Sequence, residues 1–301
     1  MKKVEVIGMP MKYGCFVDGA DLSYRYLKEI FEKVFNDASK KCVDNSFDSA
    51  FVHKNDKKIK YIEEVIELSK RLYNEVYSSL DDDKLPIIVG GDHSTCIGSI
   101  SSVLDYYKGD VSVIYIDKHA DIHNDKTTPS GNIHGMPLSI CIGRCDDRFN
   151  IGKYKLDPSN LYYVGLSNYE IEEISYISEN NIYCRMAFEV EEMKVEKIVK
   201  EILSKIKTKY VHISLDLDVI KADEFPAVNV GVENKYQDDS GLSLKVVKKI
   251  SKLLIENLEV SSMDIVEYNP LLDKDNSCKE KIEEILLDIN SSLEVKYDNG
   301  K

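Results

Sequence analysis

The sequence predicts an α/β protein with a three-layer αβα arrangement, in which helices cover both faces of a central parallel sheet of about eight strands. Short apolar runs rich in β-branched residues alternate with longer segments whose apolar residues recur at helical spacing. A connection that contains a helix usually leads to a parallel neighbour. The chain has no internal repeat, low-complexity tract or Pro/Gly/Ser-rich linker, so we expect residues 1–301 to fold as a single domain.

Short apolar runs predict the strands, because a parallel strand that is buried on both faces shows no polar alternation. The predicted strands cover residues 4–8, 85–89, 111–116, 161–165, 181–184, 210–215 and 261–266. Two polar stretches, 36–57 and 229–240, show neither a strand nor a helix pattern. We expect these two stretches to be loops or insertions.

The segments between the apolar runs predict helices. Apolar residues there recur at intervals of three and four, as Ile62, Val65 and Ile66 do. Asp21 or Ser23 can cap the first of these segments. The predicted helices cover residues 21–35, 61–79, 94–107, 190–207, 243–256 and 279–291.

The composition is typical of a globular protein, with 43% hydrophobic and 31% charged residues. A formal net charge of −13 disfavours nucleic acid and anionic membranes as partners. The sequence shows no apolar run long enough to cross a bilayer, and the short run near its start does not match a secretory signal. Seven scattered cysteines without a CxxC pair are typical of reduced thiols, so we expect a cytoplasmic protein.

Three predicted strands end in side chains that can bind metal ions. The residues are His93 after one strand, Asp117, His119 and Asp121 after the next, and Asp216 and Asp218 after a third. Within the last two clusters the side chains are two residues apart, so on an extended backbone they project to the same face. Open α/β sheets bind ligands at the carboxyl ends of their strands. We therefore expect two imidazoles and four carboxylates to meet at one site.

These residue types suit two metal ions better than one. Four neighbouring carboxylates repel one another unless cations compensate their charge, and six protein ligands leave no open position on one catalytic ion. Two ions that share bridging carboxylates would lie about 3.5–4 Å apart and supply hydroxide at neutral pH. An oxygen-rich set without cysteine favours Mn²⁺ over structural Zn²⁺. The pattern therefore predicts metal-assisted hydrolysis.

Longer motifs resemble the ureohydrolase superfamily, and in particular its arginase/agmatinase family. The motifs are GGDHS at 90–94, DxHAD at 117–121, SGNIHGMP at 130–137, SLDLD at 214–218 and MDIVEYNP at 263–270. They occur in the family's order and cover most of the chain. The resemblance implies an amidinohydrolase with two Mn²⁺ ions per subunit and a small guanidino substrate, with hydrolysis of L-arginine to L-ornithine and urea favoured. It also implies a homo-oligomer, either a trimer or a hexamer.

The resemblance also assigns roles to matching positions. It implies that Asp117 and Asp216 bridge the two ions, that His93 and Asp121 complete one shell, and that His119 and Asp218 complete the other. Asp121 would also hydrogen-bond the attacking hydroxide and relay its proton. His134 would protonate the leaving amine, and Glu267 would pair with the substrate guanidinium. Ser130 and Asn132 match contacts to the α-carboxylate, which favours arginine over agmatine.

Several positions depart from the family pattern but leave the proposed metal ligands intact. His123 stands where arginases commonly have an asparagine that contacts the substrate carboxylate. Asn168 and Glu170 stand where arginases usually hold the α-amino group with aspartates. Lys118 lies between two ligands, on the opposite strand face by parity, and Lys221 replaces a usual aspartate. These departures bear on the choice of substrate.

Two other functions stay open at the level of the sequence. A sister ureohydrolase would act on agmatine, guanidinobutyrate or a similar compound. A metal-binding but catalytically weak paralogue would bind or regulate instead. Outside this context His134 and Glu267 would be interpreted as locally hydrogen-bonded residues, whereas we interpret the mid-strand His212 as a structural core histidine.

Overall fold

Eight parallel strands form one sheet in this computed structural model, which describes residues 3–47, 58–228 and 240–298. The strands are β1 (Lys3–Gly8), β2 (Ser39–Cys42), β3 (Lys84–Val89), β4 (Val111–Ile116), β5 (Leu161–Leu166), β6 (Tyr183–Met186), β7 (Tyr210–Asp216) and β8 (Val260–Val266). Their order across the sheet is β2-β1-β3-β8-β7-β4-β5-β6, and every neighbouring pair is parallel. The predicted α/β class and parallel sheet are confirmed.

Helices cover both faces of this sheet. They are α1 (Ser23–Val34), α2 (Ile62–Asp81), α3 (Cys96–Tyr106), α4 (Pro137–Ile142), α5 (Ile171–Glu179), α6 (Ala187–Glu192), α7 (Val195–Lys205), α8 (Leu244–Asn257) and α9 (Ser277–Asp298). Alternate side chains of β4 enter different cores: Val113 and Tyr115 join one buried cluster, and Ile114 and Ile116 join the other. A helix that could cross a membrane is absent from the described residues.

The prediction of a loop or insertion over 36–57 is wrong in part. Residues 39–42 form the edge strand β2, which pairs with residues 5–8 of β1. The sequence SKKC shows no apolar run because this edge strand stays partly exposed. Residues 48–57, which include His53, and residues 229–239 lie outside the described residues.

The prediction of one helix over 190–207 is also wrong in part, because two helices, α6 and α7, occupy this region. Helix α6 ends at Glu192 and α7 begins at Val195, with extended backbone at Met193 and Lys194 between them. The Glu189 side chain accepts a hydrogen bond of 2.9 Å from the backbone N–H of Met186 at the start of α6. Apolar residues continue on both sides of the break, so periodicity alone does not show it. The pattern likewise does not predict the short helices α4 and α5.

The strand order decides where functional side chains can meet. Strands β3, β8, β7 and β4 are consecutive neighbours in the middle of the sheet and run in the same direction. Residues that follow these strands therefore emerge side by side at one edge of the sheet.

The buried carboxylate of Glu5 forms ion pairs between the neighbouring strands β1, β2 and β3. The Glu5 carboxylate of β1 lies 2.8 Å from Nζ of Lys41 and 3.0 Å from Nζ of Lys84, and it accepts a hydrogen bond of 2.7 Å from Ser39. Burial alone would raise the pKa of Glu5, but these partners outweigh burial and lower the pKa from 4.5 to about 2. A depressed folded-state pKa stabilises the fold above pH 4.5, and this stabilisation is lost as the pH falls toward 2.

Replacing Glu5 with glutamine is therefore expected to lower the free energy of unfolding by roughly 2–3 kcal/mol at pH 7, and by less than half as much near pH 3. Urea unfolding at both pH values measures the difference. The matched control is Glu29→Gln, which changes an exposed glutamate on α1. An equal loss at both pH values would contradict the role of the Glu5 charge.

Candidate metal centre

The six predicted metal ligands lie together at the carboxyl edge of the sheet. His93 follows β3, the group Asp117, His119 and Asp121 follows β4, and Asp216 and Asp218 lie at the end of β7 and just beyond it. All of them are buried except His119, whose side chain is 26% exposed. The tertiary structure thus brings all six side chains to one place.

Three carboxylate oxygens surround one ring nitrogen of His93. Its Nδ1 lies 2.9 Å from Oδ2 of Asp117, 2.9 Å from Oδ2 of Asp216 and 3.3 Å from Oδ2 of Asp121. Its other ring nitrogen lies 2.9 Å from the hydroxyl of Ser214, which orients the ring. One ring nitrogen holds at most one proton and cannot satisfy three anionic acceptors. A cation among these atoms would satisfy them.

A second group surrounds His119. Its Nδ1 lies 3.0 Å from Oδ2 of Asp218 and 3.6 Å from Oδ1 of Asp117. Asp117 therefore directs one oxygen toward each group. Asp216 directs Oδ2 toward His93, and its Oδ1 accepts a hydrogen bond of 2.7 Å from the backbone N–H of Asp218. Two sets of three ligand atoms, which share Asp117, are close enough to hold one ion each.

The electrostatics of these carboxylates favour bound cations. Burial and the neighbouring charge of Asp117 raise the pKa of Asp121 to about 7, and similar causes hold the pKa of Asp216 well above its ordinary value. Burial would also raise the pKa of Asp218, but His119 and Lys118 outweigh it and lower that pKa. Among the described residues, the buried Oδ1 of Asp218 has no hydrogen-bond partner. This nitrogen and oxygen donor set fits divalent cations.

Two residues at the centre have a strained backbone. Asp121 and Glu267 adopt positive φ angles of 49° and 68°, a region that residues other than glycine rarely occupy. Glu267 follows β8, and its Oε1 accepts a hydrogen bond of 2.7 Å from the backbone N–H of His93. Its other oxygen, Oε2, is buried and has no hydrogen-bond partner among the described residues. This oxygen can accept from a cationic ligand.

A cavity of about 180 Å³ adjoins the metal ligands, and Glu267, His134, Ser130 and Asn132 contribute to its lining. Nδ1 of His134 lies 3.6 Å from Oε1 of Glu267. The hydroxyl of Ser130 accepts a hydrogen bond of 3.2 Å from the backbone N–H of Asn132. Oδ1 of Asn132 in turn accepts a hydrogen bond of 3.0 Å from Nζ of the exposed Lys60. A cation therefore stands beside this part of the lining.

Two glutamates occupy another part of the lining. Glu170 contacts Nε2 of His123, and Oε2 of Glu173 lies 3.8 Å from the same nitrogen. Burial raises the pKa of Glu173, although the nearby imidazole of His123 opposes this shift. Asn168 also lines the cavity, and its side-chain amide lies 3.4 Å from Nε2 of His119. The predicted substrate contacts His123, Asn168 and Glu170 thus all reach the cavity.

Three further residues belong to this region without having been predicted as site residues: Glu173, Lys60 and Tyr115. Glu173 has a sequence signal, because it lies three residues after Glu170 and forms a capping box with it at the start of α5. Tyr115, whose hydroxyl contacts Asp121, precedes Asp117 by two residues and shares its strand face. The contact of Lys60 has no local signal, because it spans 72 residues.

His212 does not belong to the centre. It is fully buried in β7, and its ring nitrogens lie 2.6 Å from the hydroxyl of Ser262 and 3.0 Å from Oδ2 of Asp264. Both partners lie on the adjacent strand β8. The prediction of a structural core histidine is confirmed.

Comparisons with a family model, with related sequences and with solved structures all identify the same protein family. The model of the arginase family matches residues 2–289. An arginase from Staphylococcus aureus (strain COL) is 28% identical and aligns over 93% of this chain and 94% of its own length. An arginase from Bacillus subtilis (strain 168) is 30% identical over 91% of this chain and 93% of its own length. The 1.7 Å crystal structure of that species' arginase superposes with a TM-score of 0.84 at 27% identity, covering 96% of this chain and 98% of its own. The resemblance to the arginase family that the sequence motifs indicate is confirmed.

Proposed function

Since the chain belongs to the arginase family, we propose that this amidinohydrolase uses two Mn²⁺ ions to hydrolyse L-arginine to L-ornithine and urea. The observation that carries the proposal is the meeting of two imidazoles and four carboxylates, buried except for His119, at neighbouring strand ends. A guanidino substrate is supported by Glu267, which offers beside these ligands a buried carboxylate oxygen that has no hydrogen-bond partner in the described part of the chain.

The ligand set divides naturally between two ions. His93 and Asp121 would hold one ion, His119 and Asp218 would hold the other, and Asp117 and Asp216 would be shared. An oxygen-rich set without cysteine favours Mn²⁺. When bound, two such metal ions would lower the pKa of a coordinated water and supply hydroxide near neutral pH.

Side chains of the protein orient the substrate and move protons. The Glu267 carboxylate pairs with the planar guanidinium and holds its carbon beside the ligand cluster. The Asp121 carboxylate hydrogen-bonds the attacking hydroxide, takes its proton once the oxygen has bonded to that carbon, and relays this proton to the amine nitrogen as the C–N bond breaks. The His134 imidazole gives the departing amine a second proton, so neutral urea and an ammonium group are formed. Urea and the amine then leave.

Charges around the cavity support a zwitterionic amino acid as the substrate. Ser130, Asn132 and the neighbouring Lys60 can receive an α-carboxylate. Glu170 and Glu173, elsewhere in the lining, can receive an α-ammonium. A substrate that carries both groups would satisfy both sets, whereas agmatine lacks the carboxylate.

Replacing Lys60 with methionine is expected to raise KM for L-arginine about three- to fivefold, because an exposed charge contact is worth up to about 1 kcal/mol. The KM or inhibition constant of agmatine should change less than about twofold, since agmatine has no carboxylate to lose a partner. Steady-state kinetics with both compounds measure the split. Lys70→Met, which changes an exposed lysine on α2, is the control. Equal changes for both compounds would rule out the carboxylate as the partner.

The decisive test of the function is urea release across guanidino compounds. Chelator-treated protein is reloaded with Mn²⁺ and incubated with L-arginine, agmatine or guanidinobutyrate. We expect urea mainly from L-arginine, and none while the chelator is present. Preference for a compound without the α-carboxylate would identify a sister ureohydrolase and contradict the roles of Ser130 and Asn132. Tight Mn²⁺ binding without urea from any compound would identify a catalytically weak paralogue.

We further propose that residues 1–301 act as one domain in a cytoplasmic homo-oligomer, a trimer or a hexamer. Six thiols are free, which suits a reducing compartment: those of Cys42, Cys96, Cys141, Cys145, Cys184 and Cys278. The membership of the arginase family supports self-association. Light scattering after size exclusion measures the mass, and a monomer would contradict the proposal.

A further inference from the structure

Tyr115 contacts the candidate metal centre from within the core. It lies on β4, is completely buried, and precedes Asp117 by two residues. Its ring stacks on the imidazole of His93, with ring centroids 4.4 Å apart and an interplanar angle of 5°. Parallel stacking on a buried tyrosine restricts rotation of the imidazole.

The hydroxyl of Tyr115 also contacts a second ligand. It donates a hydrogen bond of 2.8 Å to Oδ2 of Asp121 and lies 3.0 Å from Nδ1 of His93. These two ligand atoms lie 3.3 Å apart, so the hydroxyl is within hydrogen-bond distance of both. The hydroxyl has one proton, and the anionic carboxylate is its stronger acceptor.

The contacts of Tyr115 involve one side of the centre. His93 and Asp121 would bind only one of the two metal ions, which we call the first ion. In the described part of the chain, no hydrogen bond or ion pair joins Tyr115 to His119 or Asp218, which would belong to the second ion alone. A change at Tyr115 should therefore affect the two ions unequally.

We propose that Tyr115 is a positioning residue for the metal ion on the His93 side of the centre. Its ring holds the imidazole of His93, and its hydroxyl holds the carboxylate of Asp121, so both ligands are oriented before the ion binds. Ligands that are already oriented lose less conformational freedom on binding, which increases affinity. This inference rests on the proposed function for the presence of two ions, but it does not depend on the identity of the substrate.

The test removes the hydroxyl and keeps the ring. Apo-protein of wild type and Tyr115→Phe is titrated with Mn²⁺ by calorimetry, and free Mn²⁺ is followed by electron paramagnetic resonance. We expect the dissociation constant of one ion to rise about 10- to 100-fold and that of the other to stay within about twofold. The matched control is Tyr162→Phe, which removes the hydroxyl of a buried tyrosine on β5 in the other core cluster, and it should leave both ions unchanged.

Two single-ligand variants, His119→Ala and His93→Ala, show which of the two metal ions Tyr115→Phe weakens. In His119→Ala protein, which keeps the His93 side, adding Tyr115→Phe should weaken the remaining ion. In His93→Ala protein the same addition should have no effect. Weakening in both backgrounds, or in neither, overturns the proposal.

The unfolding temperature without metal separates positioning from general destabilisation. If Tyr115→Phe lowers this temperature markedly and weakens both ions equally, the residue is merely structural and the proposal is overturned. Tyr115→Trp provides a second variant that keeps a stacked ring without the hydroxyl, and it should weaken the same ion. Binding of fewer than two ions to wild type overturns this inference and the proposed function together. Two ions that respond as described, without urea from any guanidino compound, would refute the proposed function alone.

Discussion

The Asp117→Asn variant is expected to lose tight binding of both metal ions and at least about a thousandfold in kcat, which corresponds to about 4 kcal/mol. Asp117 is the residue to change because its two carboxylate oxygens face different ligand groups, one toward His93 and one toward His119. An amide has a single carbonyl oxygen and no negative charge, so it cannot serve both ions. Metal analysis after desalting and urea release from L-arginine measure the two effects.

The stability of this variant should change in opposite directions with and without metal. Asp117 is one of four clustered carboxylates, and its charge raises the pKa of Asp121 and of Asp216. Removing that charge relieves repulsion, so the metal-free variant should unfold at the wild-type temperature or above it. With Mn²⁺ present, the variant should miss the stabilisation that bound ions give the wild type. The control is Asp223→Asn, an exposed aspartate beyond β7. A variant that keeps two ions and wild-type turnover would refute the shared role.

The Glu267→Gln variant is expected to keep both ions and lose about a hundredfold or more in kcat/KM for L-arginine. The glutamine carbonyl can still accept the hydrogen bond from the backbone N–H of His93, so the ligand loop should stay in place. The variant loses the anionic partner of the guanidinium. Removing one partner of a buried charge pair costs about 2–5 kcal/mol of binding free energy. Metal analysis and steady-state kinetics on the same sample separate the two expectations.

The control for this variant lies at the other end of the same strand. Glu259 immediately precedes β8, and its carboxylate lies 3.5 Å from Nζ of Lys296, away from the cavity lining. Glu259→Gln should leave kcat/KM within about twofold, as is typical of exposed ion pairs. Loss of metal from Glu267→Gln in proportion to its activity would show that Glu267 acts on the ligands and not on the substrate.

Much of the centre was predictable because its signals are local. A short apolar run identifies a buried strand, and alternation along an extended chain shows which following side chains share a face. These rules lead to Asp117, His119 and Asp121 without reference to the rest of the molecule. The rule that ligands bind at the carboxyl ends of parallel strands then relates this cluster to His93 and to the pair after β7.

Other features depend on packing across long stretches of chain. Strand β2 has a polar sequence, and it forms because β1 offers an open edge. Glu267 has a left-handed backbone in the loop after β8, which packs against the loop after β3. There the carbonyl oxygen of Gly91 accepts a hydrogen bond of 3.0 Å from the backbone N–H of Glu267. The contact between Lys60 and Asn132 spans 72 residues.

Local sequence patterns are sufficient to predict the fold class, the strands that end at the centre and the chemistry of the six ligand side chains, because neighbouring residues control strand formation and side-chain alternation. The folded chain is needed to show that β3, β7 and β4 emerge close together, that Asp117 faces both histidines, and that Tyr115 contacts Asp121. These contacts follow from strand order and core packing. Such features reflect the free energy of the whole folded chain, which no short segment contains.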